Sequence, residues 1–214
     1  MKESVMNSNK WCKPELKPWK DERTGLWGFM NQLGEIVIPC QWSKVWPFCG
    51  TCAKVKDASG KWGLIDKKGL TIIPCHWQDV GSSFSEGLLE VKDDNESWGY
   101  VNEKNMIVIP CQWKKASRFR EGLAEVVDAN NRCGFIDETG KLVLPCQWKN
   151  ALWFSEGLAG VKDDNEKWGF IDKTGQVVIP FIWSNVQWFS NGRVRVQEKI
   201  GGGWHDIDRN GNAV

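Results

Sequence analysis

Apolar and polar residues alternate along most of this chain in short runs, with no sustained helical spacing. Between Phe154 and Trp183, Ala159 and Val161 alternate with Leu158, Gly160 and Lys162, and Trp168 and Phe170 alternate with Gly169 and Ile171. A period of two predicts half-buried strands. The polar run Asp163-Asp164-Asn165-Glu166 predicts a turn between the first two strands. Asp172-Lys173-Thr174-Gly175 predicts a type I turn closed by a glycine with positive φ, ahead of a third strand at Val177-Val178-Ile179. Pro180 has no N–H to donate and is expected to end that strand or lie at its edge, with Phe181 to Phe189 as a short connection. A glycine beside a large aromatic, as in Trp168-Gly169, is expected where a neighbouring ring lies across bare backbone. No helix is predicted.

The same order of signals returns along the chain. Trp27-Gly28, Trp62-Gly63, Trp98-Gly99 and Trp168-Gly169, with Cys133-Gly134 and Trp204-His205 as worn versions, stand 35 or 36 residues apart. Pro39, Pro74, Pro110, Pro145 and Pro180 keep that beat, as do Phe48, Phe84, Phe119, Phe154 and Phe189, and Trp42, Trp77, Trp113, Trp148 and Trp183. Each copy reads as a three-stranded antiparallel meander, too thin to fold alone, that must bury its aromatics against the next. The expected fold is therefore all-β: about six such meanders in an open curved or superhelical stack, with a closed six-bladed propeller-like ring as the alternative. Propeller blades have four strands and the sixth copy lacks its third, which favours the open form. Residues 1–18 carry no copy and are expected to form a lead that caps the first repeat; the array over 19–214, opening at Trp19, is expected to be one domain.

Three segments now carry a family resemblance. Gly157-Leu158-Ala159 running on to Val161-Lys162, Lys167-Trp168-Gly169-Phe170-Ile171-Asp172 and Val178-Ile179-Pro180 followed by Trp183 resemble the WG, or KWG, repeat of bacterial proteins, over about residues 19–211. Copies of that family usually carry Tyr where this chain has Trp42, Trp77, Trp113, Trp148 and Trp183. The resemblance implies a bacterial all-β interaction module and supplies no catalytic residues.

Composition narrows the functional classes. With 214 residues, 41% of them hydrophobic, the chain can bury a core without disulfides. A net charge of +1 argues against nucleic acid as a partner. The first ten residues lack the apolar run of a secretory signal and no stretch is long enough to span a membrane, so a cytoplasmic protein with no membrane partner is expected. Of eight cysteines, Cys40, Cys75, Cys111 and Cys146 occupy one position of successive copies. Equivalent positions of stacked sheets lie ~10 Å apart, beyond the ~7 Å that a disulfide can bridge between Cα atoms. They read as small semi-buried apolar side chains.

Positions that agree between copies are explained by stacking, so chemistry is sought where copies differ. Cys49-Gly50-Thr51-Cys52 replaces Ser85-Glu86-Gly87-Leu88. A redox dithiol wants a helix N-terminus and zinc wants a second pair of ligands, for which Cys12 or Cys40 are the candidates; chance substitution is the preferred reading. His76 next to Cys75 points away from it on an extended chain, so no catalytic dyad is expected. The acidic turns Asp93 to Glu96 and Asp163 to Glu166 lack the alternate spacing of a calcium loop and read as solvated hairpin tips. No catalytic residue, metal or cofactor is expected.

One row changes character along the array. The residue before each linker Phe is Pro47, Ser83, Arg118, Trp153 and Trp188, with Trp46 one step earlier in the first linker. Arg193 and Arg195 alternate with the buried Val194 and Val196 close to Trp188. Tryptophan and arginine that a core does not demand are the usual anchors of a protein interface; the alternative is that these rings fill gaps under the linkers. Trp46, Arg118, Trp153, Trp188, Arg193 and Arg195 are thus the candidate partner-binding residues. The expected function is a non-enzymatic protein-binding module, an adaptor or an immunity-type inhibitor of a partner; carbohydrate or small-ligand binding through exposed tryptophans is the alternative.

Overall fold

A computed structural model describes residues 15–214; the lead expected over 1–18 lies outside the described residues as far as residue 14, as does Cys12. The described residues form six antiparallel sheets in tandem, all-β as expected, with every regular element a strand. They divide into two compact units, the described part of Met1–His76 and Trp77–Val214. In the first unit the array begins earlier than Trp19. Strand Lys17–Lys20 pairs with Trp27–Met30, and Leu16, 6% exposed, already belongs to the core with Phe29, Ile38 and Val55.

The fifth sheet stands for the others. Leu158–Lys162 pairs with Trp168–Asp172, setting Gly160 opposite Phe170 and Val161 opposite Gly169. Two features correct the expected meander. First, the linker is not a bare connection: Asn150–Ala151 pairs with Lys162 and Val161, adding a short outer strand. Four sheets have four strands by this route, and the first and last have three. Second, of the two places expected for Pro180 it takes the edge: it does not end its strand, which runs through it from Val177 to Trp183 as the outermost strand of the sheet. Trp168 faces Trp183 and Phe170 faces Ile179, so Pro180, Phe181 and Ile182 all stand opposite the single residue Gly169. In such a bulge no ladder bond is asked of the proline nitrogen.

That bulge also explains the Trp-Gly pair. A Cβ built on Gly99 would lie 2.5 Å from the Ile109 carbonyl oxygen and 2.7 Å from the Cys111 nitrogen. The glycine is needed because the chain's own arched backbone crosses it, not a neighbour's ring as expected. At Gly169 the Phe181 ring, 3.0 Å away, adds to the crowding.

Sheets are joined by burial and by a repeated polar staple. In the second unit Phe170 packs with Phe189, Val194, Val196 and Ile207 of the sixth sheet. Each central aromatic meets the linker Phe one copy on: Tyr100 with Phe119 and Phe135 with Phe154 at 4.9 Å, Phe170 with Phe189 at 5.1 Å. Beside these rings, Ser-Glu-Gly-Leu makes a two-residue hairpin loop with positive φ at both central residues, 52° at Glu86 and 79° at Gly87. Glutamate in this conformation is uncommon. Its use lies across the copies: Glu86, Glu121 and Glu156 accept from the backbone N–H groups of Gly122, Gly157 and Gly192 at 2.8–3.0 Å. The preceding serines donate to the linker Phe carbonyls, Ser85 to Phe119 at 2.6 Å and Ser155 to Phe189 at 2.7 Å.

The other turns are closed locally. Asp172 Oδ1 accepts from the N–H groups of Thr174 and Gln176, and Gly175 takes φ 86°. Asp163 does the same for Asn165 and Lys167, so the acidic tips are turn scaffolds.

Two outcomes follow from these contacts. Gly99→Ala should destabilise the protein by about 2 kcal/mol in urea unfolding, since the clash is with backbone that a rotamer change cannot relieve; an unchanged midpoint would refute the crossing. The carboxyls of Asp57, Asp137 and Asp172 are held below their ordinary range chiefly by the hydroxyls of Ser59, Thr139 and Thr174. A pKa depressed by folding contributes stability that is present above about pH 4 and is lost as pH falls through the folded value. The urea midpoint should therefore fall below about pH 4, and Asp172→Asn, which keeps the acceptor oxygen that Asn102 uses in its own turn, should make that fall shallower.

Candidate interaction surface

Trp153 and Trp188 each precede a linker Phe that is 1% exposed. The buried ring fixes the chain direction, and the residue before it is turned toward the opposite side. Trp153 is half-buried and Trp188 is 48% exposed. Their ring centroids lie 4.9 Å apart with planes at 39°. The Arg120 guanidinium sits 4.7 Å from the centroid of Trp153. Three successive copies therefore contribute one side chain each to a single stack. Contacts of this kind contribute about 0.5–1.5 kcal/mol each. They hold three large side chains in place.

Arg120 was not among the residues singled out from the sequence. It follows the linker Phe where Ser85, Ser155 and Ser190 stand in other copies. That departure was open to the same copy-by-copy comparison.

The arginines of the sixth sheet complete the surface. Arg193 and Arg195 are exposed on strand Arg193–Gln197, whose Val194 and Val196 point into the core. With Trp188, Asn191 and Asp206 they line an open depression of about 580 Å³. Its polarity arises from one exchange. Opposite the middle residue of the first strand stand Tyr100, Phe135 and Phe170 in the third to fifth sheets, each fully buried; in the sixth the pair is Arg195 and Asp206. Arg195 Nε lies 3.7 Å from Asp206 Oδ1. The face that elsewhere packs on the next sheet is polar here.

Of the six candidates, Trp153, Trp188, Arg193 and Arg195 thus form one surface through Trp188. Arg118 is half-buried and donates to Ser82 Oγ at 2.9 Å. Trp46, 51% exposed, belongs to the first unit, where the Lys44 ammonium lies 5.7 Å from its ring.

The remaining reactive groups are held in structural settings. Cys49-Gly50-Thr51-Cys52 is the hairpin loop of the second sheet: Cys49 and Cys52 face each other across it, and Gly50 supplies the positive φ of 65°. Among the described residues no group of three His, Cys, Asp or Glu side chains could hold a metal ion. Cys75 and Cys111 are half-buried, each donating to the carbonyl of Val55 or Val91 at 3.8 Å. His76 is exposed, on the other side of its strand from Cys75. His205 packs edge-on against Trp183 at 5.5 Å. The Tyr100 hydroxyl donates to the Ser117 carbonyl at 2.6 Å, and burial pushes its pKa up. Burial likewise raises the carboxyl of Glu125, which accepts from Ser117 at 3.2 Å.

Stacked sheets, a copy-to-copy staple and a surface assembled from one residue per copy define a tandem β-repeat protein. The chain belongs to the WG containing repeat family, whose model matches residues 27–50, 62–96, 98–131, 134–167 and 168–204. No curated protein matches it. Among solved structures it is similar to KlHsv2 with loop 6CD replaced by a Gly-Ser linker, at 9% identity and TM-score 0.52, over 77% of this chain and 60% of that one. It is also similar to the computationally designed Ika8 protein, at 10% identity and TM-score 0.51, over 90% of this chain and 67% of the other. The WD40 beta propeller domain of Doa1 matches at 12% identity and TM-score 0.45, over 79% of this chain and 66% of that domain. The chain spans 60–67% of the length of these proteins, and the likeness to the first two concerns the fold.

Burial pushes the thiols of Cys75 and Cys111 up to about 11 and that of Cys133 up to about 12. Two units of pKa remove about 99% of the reactive thiolate at a given pH. Iodoacetamide at pH 8 should therefore modify these three on the order of a hundredfold more slowly in the native protein than in urea, read by mass spectrometry of peptides; equal rates would overturn the burial argument.

Proposed function

We propose that the chain is a non-catalytic module that binds a partner protein through the surface built by Arg120, Trp153, Trp188, Arg193 and Arg195. The observation that carries this reading is the stack of Arg120, Trp153 and Trp188. It is large, partly exposed and preorganised, and Trp and Arg in that setting are the residues on which binding energy concentrates. The remaining reactive side chains support a non-catalytic reading: they sit in turns, in half-buried rows or against neighbouring rings. A sugar platform is the weaker use of these tryptophans. Trp153 has Arg120 of the preceding copy over its ring and Trp188 of the following copy against it, so the two indoles cover one another and do not offer separate faces in line.

The test is affinity capture with the wild-type chain and with a Trp153→Ala, Trp188→Ala variant of unchanged circular dichroism, followed by titration of the captured protein after purification. The double variant is expected to bind at least tenfold more weakly. Equal affinity would remove the stack from the interface.

A further inference from the structure

We propose that Cys49 and Cys52 form a reversible disulfide across the hairpin loop of the second sheet, closed by exchange with a low-molecular-weight disulfide such as oxidised glutathione. The two residues are opposed in an antiparallel bridge, with the Cys49 N–H donating to the Cys52 carbonyl at 2.9 Å. Directly opposed residues of such a pair put their side chains on one face, with Cα atoms about 5.5 Å apart. A disulfide spans about 4.4–6.8 Å between Cα atoms and needs Cβ atoms about 3.5–4.5 Å apart. One sulfur already leans toward its partner: Cys52 Sγ lies 4.0 Å from the Cys49 carbonyl oxygen. The loop has room for the remaining approach, since a Cβ built on Gly50 meets nothing within 4 Å. In the equivalent loops Glu86, Glu121 and Glu156 are tied to the next copy, whereas Gly50 has no carboxylate with which to tie this one.

Exposure divides the roles. Cys49 is exposed and Cys52 is 2% exposed, so the incoming disulfide meets Cys49 first. The Cys49 thiolate attacks one sulfur of oxidised glutathione, expels one glutathione thiolate and becomes a mixed disulfide. The Cys52 thiolate then attacks the Cys49 sulfur and expels the second glutathione. One disulfide is consumed for one formed: two electrons pass from the protein to glutathione, and the two thiol protons leave with the two glutathione thiols. The loop lacks the helix N-terminus of a catalytic dithiol, which makes the pair a site of modification and not an oxidoreductase centre. Cys75, Cys111 and Cys133, whose thiols are pushed up by burial, are slower competitors for the same reagent. The site uses no residue of the interaction surface and stands or falls independently of it.

For the test, the reduced full chain is equilibrated at pH 8 in a buffer of reduced and oxidised glutathione. Remaining thiols are blocked with iodoacetamide, and non-reduced tryptic peptides are weighed by mass spectrometry. Trypsin cuts after Lys44 and Lys54, so residues 45–54 carry both cysteines on one peptide. That peptide is expected without alkylation and about 2 Da lighter than its dithiol form, and dithiothreitol should reverse the change. A synthetic peptide of residues 45–54 in the same buffer isolates the contribution of the fold. The full chain should favour the closed loop over the glutathione adduct at least tenfold more strongly than this peptide does. Cys52→Ala should halt the exchange at its first step and leave glutathione on Cys49, and Cys49→Ser should make Cys52 at least tenfold slower to react. Circular dichroism checks that both variants are folded. Two alkylated cysteines in the wild-type chain, glutathione retained on its Cys49, or pairing of either residue with a third cysteine would overturn the proposal. Equal closure in the synthetic peptide would do so as well, because the fold would then contribute nothing to the pairing.

Discussion

The third to fifth sheets each carry an apolar face that only the following sheet can cover, and the covering contact is the meeting of a central aromatic with the linker Phe one copy on. Tyr100 with Phe119, Phe135 with Phe154 and Phe170 with Phe189 are the same contact made three times in the second unit. A meander of three or four short strands is marginal by itself, so stability accrues between copies more than within them. The polar staple fixes how that burial is made. A glutamate reaching the N–H of a glycine one copy on, and a serine reaching a linker carbonyl, tie the hairpin loops of neighbouring copies at one height. Burial alone would tolerate sliding; directional bonds at an interval of about one repeat do not.

The constraint also explains why the array was legible in the chain. Trp, Gly, Pro and Phe each recur at one interval, because each is held by a contact made once per copy. Strand alternation and turn chemistry could be read for the same reason: period two is set by the pleat, and the Asp and Gly of the turns are set by local backbone geometry. Less visible were features that depend on two segments meeting. The outer strand of Asn150–Ala151 has only two residues, too few for any alternation. Proline read by itself says that a strand stops or lies at an edge. Here the excess of two residues opposite Gly169 lets the strand pass through, and that excess exists only once the register of two strands is known.

The candidate surface was legible in part. Comparing copies picked out Trp153, Trp188, Arg193 and Arg195, because the departures are large changes of residue type. It passed over Arg120, whose partner ring belongs to the next copy and lies 33 positions away. It grouped Arg118 with the others because they share a register, yet the guanidinium of Arg118 is engaged by Ser82. Equivalence of position determines where a side chain starts. What it reaches depends on the side chains of the adjacent copies, which differ.

The sixth sheet makes the same point from the other direction. Its first-strand valines and Ile207 keep the contacts that earlier sheets keep, so its inner face is an ordinary member of the array. Its outer face has Asp206 where Tyr100, Phe135 and Phe170 are buried in other sheets. A carboxylate at that place, beside Arg195, would be costly to bury under another apolar sheet without full compensation. Left open to water it costs little, and it keeps the two arginines apart from any apolar core. The exchange of one aromatic for an acid thus makes a packing face polar without disturbing the backbone beneath it. Copies that agree build the scaffold, and the polar chemistry lies where a copy departs from the shared pattern.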